Sequence, residues 1–163
     1  MRPAGRTSLL DAVQLALTEM KKARNSRKAL VILSDGGDNR SRSTFVRIKS
    51  AVIESDVRVY AMGIFDSAAL RKATPEEQRG PQLLDELAEE SGGKHFRTNT
   101  ADDLSEISTR ISSELHSRYL LGFAPASLQA DGKYHRVRIQ LVAPAYAPAL
   151  RVRYRSGYFA PGR

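Results

Sequence analysis

Short apolar runs alternate with amphipathic helical stretches over residues 1–117, and this alternation constrains the fold of the 163-residue chain more than any other feature. The runs KALVILS, VRVYAMGIF and KHFRT have the length and the β-branched content of buried strands. Helical spacing of apolar residues precedes, separates and follows them. Strands joined by helices need crossover connections, so the pattern predicts an α/β fold with a mostly parallel sheet.

Four segments have the apolar spacing of helices. Ser8 followed by Asp11 resembles a capping box at the start of the first helix, with Asp in place of Glu or Gln. The polar stretch 66–81 is typical of a long surface loop before the third helix. The four helical segments are 7–24, 45–53, 83–91 and 101–118.

The pattern changes after residue 117. The stretches YLLGF, YHRVRIQLV and LRVRYRSGY follow one another without a helix between them, and the last two alternate apolar with polar residues. Alternation with a period of two and short connections predict antiparallel strands with one solvent-exposed face. We therefore predict two units, an α/β domain over residues 1–117 and a C-terminal antiparallel β extension over residues 118–163.

Positive charge is concentrated in the predicted extension. The chain has 26 Lys and Arg against 18 Asp and Glu, yet the extension holds eight of these bases and only Asp131 as an acid. If the last two strands pair, their arginines form one basic sheet face, which either binds a polyanion or is a solvated surface that resists aggregation. The second interpretation is favoured. The face comprises Arg136, Arg138, Arg151, Arg153 and Arg155.

Asp35 directly follows the run KALVILS, and Gly36 and Gly37 allow the backbone to turn sharply there. Ligands of open parallel sheets bind beyond the carboxyl ends of the strands, where a carboxylate can hold a hard cation such as Mg²⁺. Asp-Gly turns after strands are also common, so these residues alone favour a turn or a helix cap.

Longer pieces of the sequence carry a family resemblance. GRTSLLDAV (5–13), KALVILSDGGDNRSRSTF, VYAMGIFD, TPEEQRGPQLLDELAEESGGKHFR and the closing RSGYFAP occur in this order. Together they resemble a von Willebrand factor type A (VWA) domain, and in particular the bacterial VWFA-related proteins. The resemblance covers essentially the whole chain.

The resemblance implies a doubly wound, Rossmann-like sheet and a non-enzymatic role in binding a protein ligand. In VWA domains a metal-ion-dependent adhesion site (MIDAS) holds Mg²⁺ or another divalent cation, whose coordination is completed by a carboxylate of the ligand. Thr7 matches the threonine of that site and Asp35 matches its aspartate. The loop that would border the ligand surface contains Gly36, Gly37, Asp38 and Asn39.

The chain departs from the family in one respect: it contains no Asp-x-Ser-x-Ser loop. That loop follows the central first strand of the family, which would precede GRTSLLDA, so we expect an incomplete, N-terminally truncated sheet. The run KALVILS would then present an unpaired strand edge and promote self-association. With only two oxygen ligands left, we expect this chain alone to bind divalent cations weakly or not at all.

Other classes of protein find little support in the sequence. The three histidines belong to different elements, and no nucleophile, P-loop or dinucleotide-binding motif occurs, so we expect no enzyme activity. Nucleic acid is a disfavoured partner because the aromatic residues of the basic segment are not spaced as base-stacking pairs. No apolar run is long enough for a membrane span, and no signal peptide is visible. The compartment stays open, although proteins of the family are often exported.

Overall fold

A computed structural model describes residues 7–25, 27–64, 74–98, 100, 102–125, 130–142 and 150–162. Helices and strands alternate through the first part of the chain, in the predicted order. The helices are α1 (Leu9–Met20), α2 (Phe45–Glu54), α3 (Pro75–Glu90) and α4 (Asp103–His116). The strands are β1 (Lys28–Leu33), β2 (Val57–Ile64), β3 (Lys94–Thr98), β4 (Tyr134–Arg136) and β5 (Gly157–Phe159).

The first three strands form a parallel sheet in the order β1-β2-β3. Lys28 lies opposite Val57 at the start of the β1–β2 pairing, and Tyr60 lies opposite Lys94 where β3 begins. The prediction of an α/β fold with a parallel sheet is confirmed. Because β2 is central, β1 is an edge strand, and no described residue pairs with its other side.

Helices cover both faces of the parallel sheet. On one face, α1, α2 and α3 pack over alternate residues of β1 and β2, and on the other α4 packs over β2 and β3. The first cluster is built on Leu10, Val13, Leu17, Ile48, Val52, Val59, Leu84 and Leu87. The second is built on Tyr60, Met62, Phe96, Ile107 and Ile111.

The outer strand β1 is less buried than the sequence predicts. Ile32 is buried by the three-helix face, whereas Val31 and Leu33 point to the other face and are 46% and 60% exposed. The reason is geometric: the cluster under α4 reaches β1 at Ala29 but does not cover Val31 and Leu33. The run KALVILS therefore predicts a strand buried on both faces, although only the face under α1, α2 and α3 is well covered.

Helix α3 begins earlier than predicted. It starts at Pro75, so residues 75–81 are helical and the prediction of a loop there is wrong, while residues 66–73 lie outside the described residues. Thr74 followed by Pro75 and two glutamates is a typical helix start, since proline suits the first helical position and acids suit the first turn. Gln78 N donates to Thr74 O at 2.9 Å, which closes the first turn.

The predicted capping box does not form at the start of α1. Ser8 makes no side-chain capping hydrogen bond. The carboxylate of Asp11 instead accepts hydrogen bonds from the backbone N–H groups of Arg42 and Ser43, each at 2.9 Å. Asp11 therefore ties the helix to a distant loop rather than closing its own first turn.

The C-terminal segment forms only a short antiparallel pair. β4 pairs with β5, from Tyr134 opposite Phe159 to Arg136 opposite Gly157. The stretch YLLGF is not a strand, and only Tyr134–Arg136 of YHRVRIQLV forms a strand, whose partner β5 overlaps the end of the predicted strand LRVRYRSGY. The prediction of an antiparallel pair is confirmed in this reduced form, with three residues in each strand.

Ser91 joins α3 to the sheet at a buried position. Its Oγ accepts a hydrogen bond from Val59 N at 2.8 Å and donates one to Ala88 O at 2.8 Å. Only 8% of Ser91 is exposed, and β3 pairs with β2 only from Tyr60 onward. The hydroxyl therefore satisfies a buried N–H of β2 that the β3 ladder does not reach.

We expect Ser91→Ala to lower the free energy of unfolding by about 1–3 kcal/mol, because it leaves the buried N–H of Val59 without an acceptor. Urea denaturation followed by circular dichroism measures this loss. The control is Ser105→Ala on the exposed side of α4, which should change stability by about 0.5 kcal/mol or less. Equal effects of the two substitutions would contradict the role given to Ser91.

Candidate functional site at the carboxyl end of strand β1

The loop after β1 begins with an aspartate held in a local turn. Asp35 is exposed, and its Oδ1 accepts a hydrogen bond from Gly37 N at 3.0 Å. Gly36 has φ of +79°, a left-handed conformation that glycine adopts without strain. A Cβ on Gly36 would lie 2.3 Å from the carbonyl oxygen of Gly80 in α3. Gly36 and Gly37 are both buried, and Gly36 packs against the backbone of α3 at Gly80.

Thr7 is joined to this loop by its backbone. Its carbonyl oxygen accepts hydrogen bonds from Asn39 N and Arg40 N, both at 3.1 Å, and its N–H donates to Asn39 Oδ1 at 3.0 Å. Thr7 and the loop opened by Asp35 therefore lie together at the carboxyl end of β1. Asn39 is part of the loop's own framework.

Asp38 caps α1 from across the loop. Its Oδ2 accepts a hydrogen bond from Leu10 N at 2.8 Å, and its Oδ1 accepts one from Ser41 N at 3.0 Å. Partial burial raises the pKa of Asp38, but the hydrogen bonds from Ser41 and Leu10 outweigh it and hold that pKa below its ordinary value. The pKa of Asp11 is also lowered, first by the backbone N–H of Arg42 and then by Ser43. Two carboxylates thus stabilise the contact between α1 and the loop.

The predicted metal ligands do not form a complete site. Thr7 and Asp35 lie at one end of the sheet, but nowhere in the described residues do three His, Cys, Asp or Glu side chains come together in a way that would hold a metal ion. Both carboxylate oxygens of Asp38 accept backbone hydrogen bonds. The residues present therefore do not fit a divalent cation that needs six oxygen ligands with near-octahedral geometry.

Two of the five arginines of the expected basic sheet face are engaged with acids of the α/β domain. Arg153 donates to Glu114 Oε1 at 2.5 Å, and Arg155 donates to Asp56 Oδ1 at 2.7 Å and to Ile53 O at 3.1 Å. These two side chains face the α/β domain and fasten the C-terminal segment to it. Arg138 and Arg151 lie outside strands, and Arg136 lies in β4 opposite Gly157. Of the five arginines, Arg136 alone therefore lies in a described strand, and Arg153 and Arg155 are held in ion pairs.

The sequence did not predict a partly buried pair on the three-helix side of the sheet, formed by His95 and Asp85. His95 Nδ1 lies 2.8 Å from Asp85 Oδ1, and only 1% of the histidine side chain is exposed. Arg97 also pairs with Asp85. Burial lowers the pKa of His95, although Asp85 opposes the shift. The residues come together because β3 pairs with β2 and α3 packs against β3. No spacing of residues in the sequence predicts this contact.

Comparison with known proteins adds little. No family model and no curated protein matches the chain. Among solved structures, an uncharacterized membrane-spanning protein from Vibrio fischeri is similar, with 18% identity and a TM-score of 0.43. The match covers 67% of this chain and 57% of that one, so the chain spans less than two thirds of that protein's length. At this score the similarity carries no argument about fold or function. None of the helices in the described residues has the length and apolarity to cross a membrane.

We expect Asp38→Ala to lower the free energy of unfolding by about 0.5–2 kcal/mol, since it removes the acceptor at the start of α1. Both Asp38 and Asp11 have lowered pKa values, so their contribution is present above the ordinary value of 3.8 and is lost as the pH falls below it. Thermal unfolding between neutral and strongly acidic pH should therefore show a smaller acid loss in Asp38→Ala. The comparison variant is Asp35→Ala, because the Asp35 carboxylate accepts a hydrogen bond from Gly37 in its own turn and makes no hydrogen bond to α1 among the described residues. A larger loss for that variant would contradict the capping role.

Proposed function

We propose that the chain is a non-enzymatic interaction module of VWA type, with a Rossmann-like sheet that a longer parent protein completes. The observation that carries the proposal is the meeting of Thr7 with the loop of Asp35 at the carboxyl end of β1. Ligands of parallel α/β sheets bind at this end. The resemblance of GRTSLLDAV and ALVILSDGGDN to VWA domains supports the same assignment. Thr7 and Asp35 are then the MIDAS residues that this chain contains.

The open edge of β1 supports a second element of the proposal, which is association with another copy of the chain. No described residue pairs with this edge, and Val31 and Leu33 are exposed beside it. Edge strands without a charged or covering group readily pair with another strand. Lys28 at the beginning of β1 is its single charged residue. We infer that two chains pair through β1 at sufficient concentration.

The alternative of polyanion binding by the C-terminal arginines gains no support. Arg153 and Arg155 are engaged in ion pairs with Glu114 and Asp56. A polyanion would have to break these contacts before it could bind both side chains. We therefore do not propose this function for the C-terminal segment.

In the parent protein, Asp35→Ala should abolish cation-dependent ligand binding, because it removes a carboxylate from the ion's coordination. In the isolated chain, titration calorimetry with Mg²⁺ should show only weak binding or none, since the described residues do not complete a site. Surface plasmon resonance with and without EDTA measures the first effect. Ligand binding that ignores EDTA and falls steeply with salt would contradict the proposal, as would tight Mg²⁺ binding by the isolated chain.

The pairing of two chains through β1 is tested by Val31→Lys combined with Leu33→Lys. We expect the double variant to weaken dimerisation at least tenfold, because it places like charges along the pairing edge. Sedimentation equilibrium over a range of concentrations measures the dissociation constant. The control combines Leu15→Lys with Val46→Lys on exposed sites of α1 and α2, which should leave it unchanged. A wild-type chain that stays monomeric throughout would refute the β1 contact.

A further inference from the structure

Three arginines and a tyrosine meet at the opposite end of the sheet from Asp35. Arg27 precedes β1, Arg58 is the second residue of β2, Tyr60 follows it on the same face, and Arg118 lies just beyond the C-terminal end of α4. Arg58, Arg27 and Tyr60 all lie close enough to Arg118 for their charges to influence its pKa. We call these four residues the arginine cluster.

Several hydrogen-bonding atoms of the arginine cluster are buried and lack partners. Within the described part of the chain, Arg58 Nε, Arg118 Nη1 and Tyr60 Oη are shielded from solvent and make no hydrogen bond. Tyr60 is fully buried, with 0% of its surface exposed. Burial raises the pKa of the Tyr60 hydroxyl, and Arg58 beside it acts in the opposite direction. A buried donor without an acceptor costs free energy, so these three atoms need an explanation.

The arginine cluster has Glu114 beside it, but it shares this acid with Arg153. The acid whose charge reaches Tyr60 is Glu114, and its carboxylate is held by Arg153 at 2.5 Å. Partial burial is the main cause that lowers the pKa of Arg118, and the charges of Arg58 and Arg27 lower it further. The guanidinium groups thus repel one another in a partly desolvated environment, and a bound anion would reduce this repulsion.

We propose that the arginine cluster binds a phosphate group, which accepts hydrogen bonds from Arg58, Arg118 and the hydroxyl of Tyr60. The guanidinium fork matches the oxygen atoms of phosphate and binds them with strong, charge-assisted hydrogen bonds. A phosphate carries roughly 1.5–2 negative charges at neutral pH, so it neutralises three cations better than a single carboxylate does. The phenol donates a hydrogen bond, which suits an oxyanion with several acceptor oxygens.

This site is independent of the proposed VWA function. The arginine cluster lies where the strands begin, whereas Thr7 and Asp35 lie at the carboxyl end of β1. None of its residues belongs to the C-terminal arginine rows of the sequence. Failure of either proposal therefore leaves the other intact.

The test measures thermal unfolding and titration calorimetry of the whole chain with inorganic phosphate, at constant ionic strength set by chloride. We expect the midpoint of unfolding to rise by about 3 °C for each tenfold increase in phosphate above its dissociation constant. The same measurements are repeated separately with phenyl phosphate and with acetate. Binding of phenyl phosphate would show that the site accepts a phosphate attached to a larger molecule, and its exclusion would restrict the site to the free ion.

Two variants separate a binding role from a purely structural one. Arg118→Met should weaken phosphate binding at least tenfold while leaving the phosphate-free protein as stable as wild type or more so, because it removes a like-charge contact. Tyr60→Phe should weaken phosphate binding a few-fold without loss of stability, since it deletes a buried hydroxyl that lacks a partner. The matched control is Arg24→Met, an exposed arginine beyond α1, which should bind phosphate like wild type.

Three results would overturn the proposal. The first is a wild-type chain that responds no more to phosphate than to chloride. The second is binding of acetate as tight as that of phosphate. The third is a wild-type response to phosphate in Arg118→Met and Tyr60→Phe together with a loss of stability, which would make the arginine cluster a structural element only. If Arg118→Met fails to fold, Tyr60→Phe decides the question by itself.

Discussion

The structure depends on the pairing of β2 with a strand on each side. β2 is the central strand, and its residues Val59, Tyr60 and Ala61 are fully buried. Every backbone polar group of such a strand must find a partner inside the protein. β1 and β3 supply most of these partners, and Ser91 supplies the acceptor for Val59 N where β3 does not reach. All four helices are placed by the two faces of this three-stranded sheet.

Most polar residues of the loop after β1 and of its contact with α1 stabilise the fold through hydrogen bonds to the backbone. Asp38 and Asp11 exchange contacts between α1 and the loop, and Asn39 holds Thr7 in place. A carboxylate that accepts two backbone hydrogen bonds is poorly available to a cation. Asp35 is different because it is exposed and bonds only to its own turn among these contacts. The loop thus combines a framework of hydrogen-bonded polar groups with one exposed carboxylate.

The two ends of the sheet differ in charge. The end near Asp35 carries carboxylates that accept hydrogen bonds from backbone N–H groups, whereas Arg58 and Arg118 at the other end have buried nitrogen atoms without an acceptor among the described residues. Stable proteins seldom leave buried donors unsatisfied, and when they do the reason is often functional. The arginine cluster is therefore a different kind of feature from Arg153 and Arg155, whose ion pairs simply fasten the C-terminal segment.

The alternation of apolar runs and helical patterns by itself determined the order of elements, the parallel sheet and the antiparallel nature of the C-terminal pair. These are local properties, because strand and helix periods are written in consecutive residues. The early start of α3 was also readable at Thr74 and Pro75 but was obscured by the polar composition of the stretch. The placement of Asp35 after a strand was predictable for the same local reason.

Only the tertiary structure decided which residues meet. The ion pairs of Arg153 with Glu114 and of Arg155 with Asp56 were not predictable, since they join segments that are distant in the sequence. The cap that Asp38 provides for α1, the contact of His95 with Asp85 and the arginine cluster all join residues from separate elements. Such contacts depend on how helices pack on the sheet. The sequence therefore determined what the elements are, and the packing determined which polar groups are satisfied and which are left for a ligand.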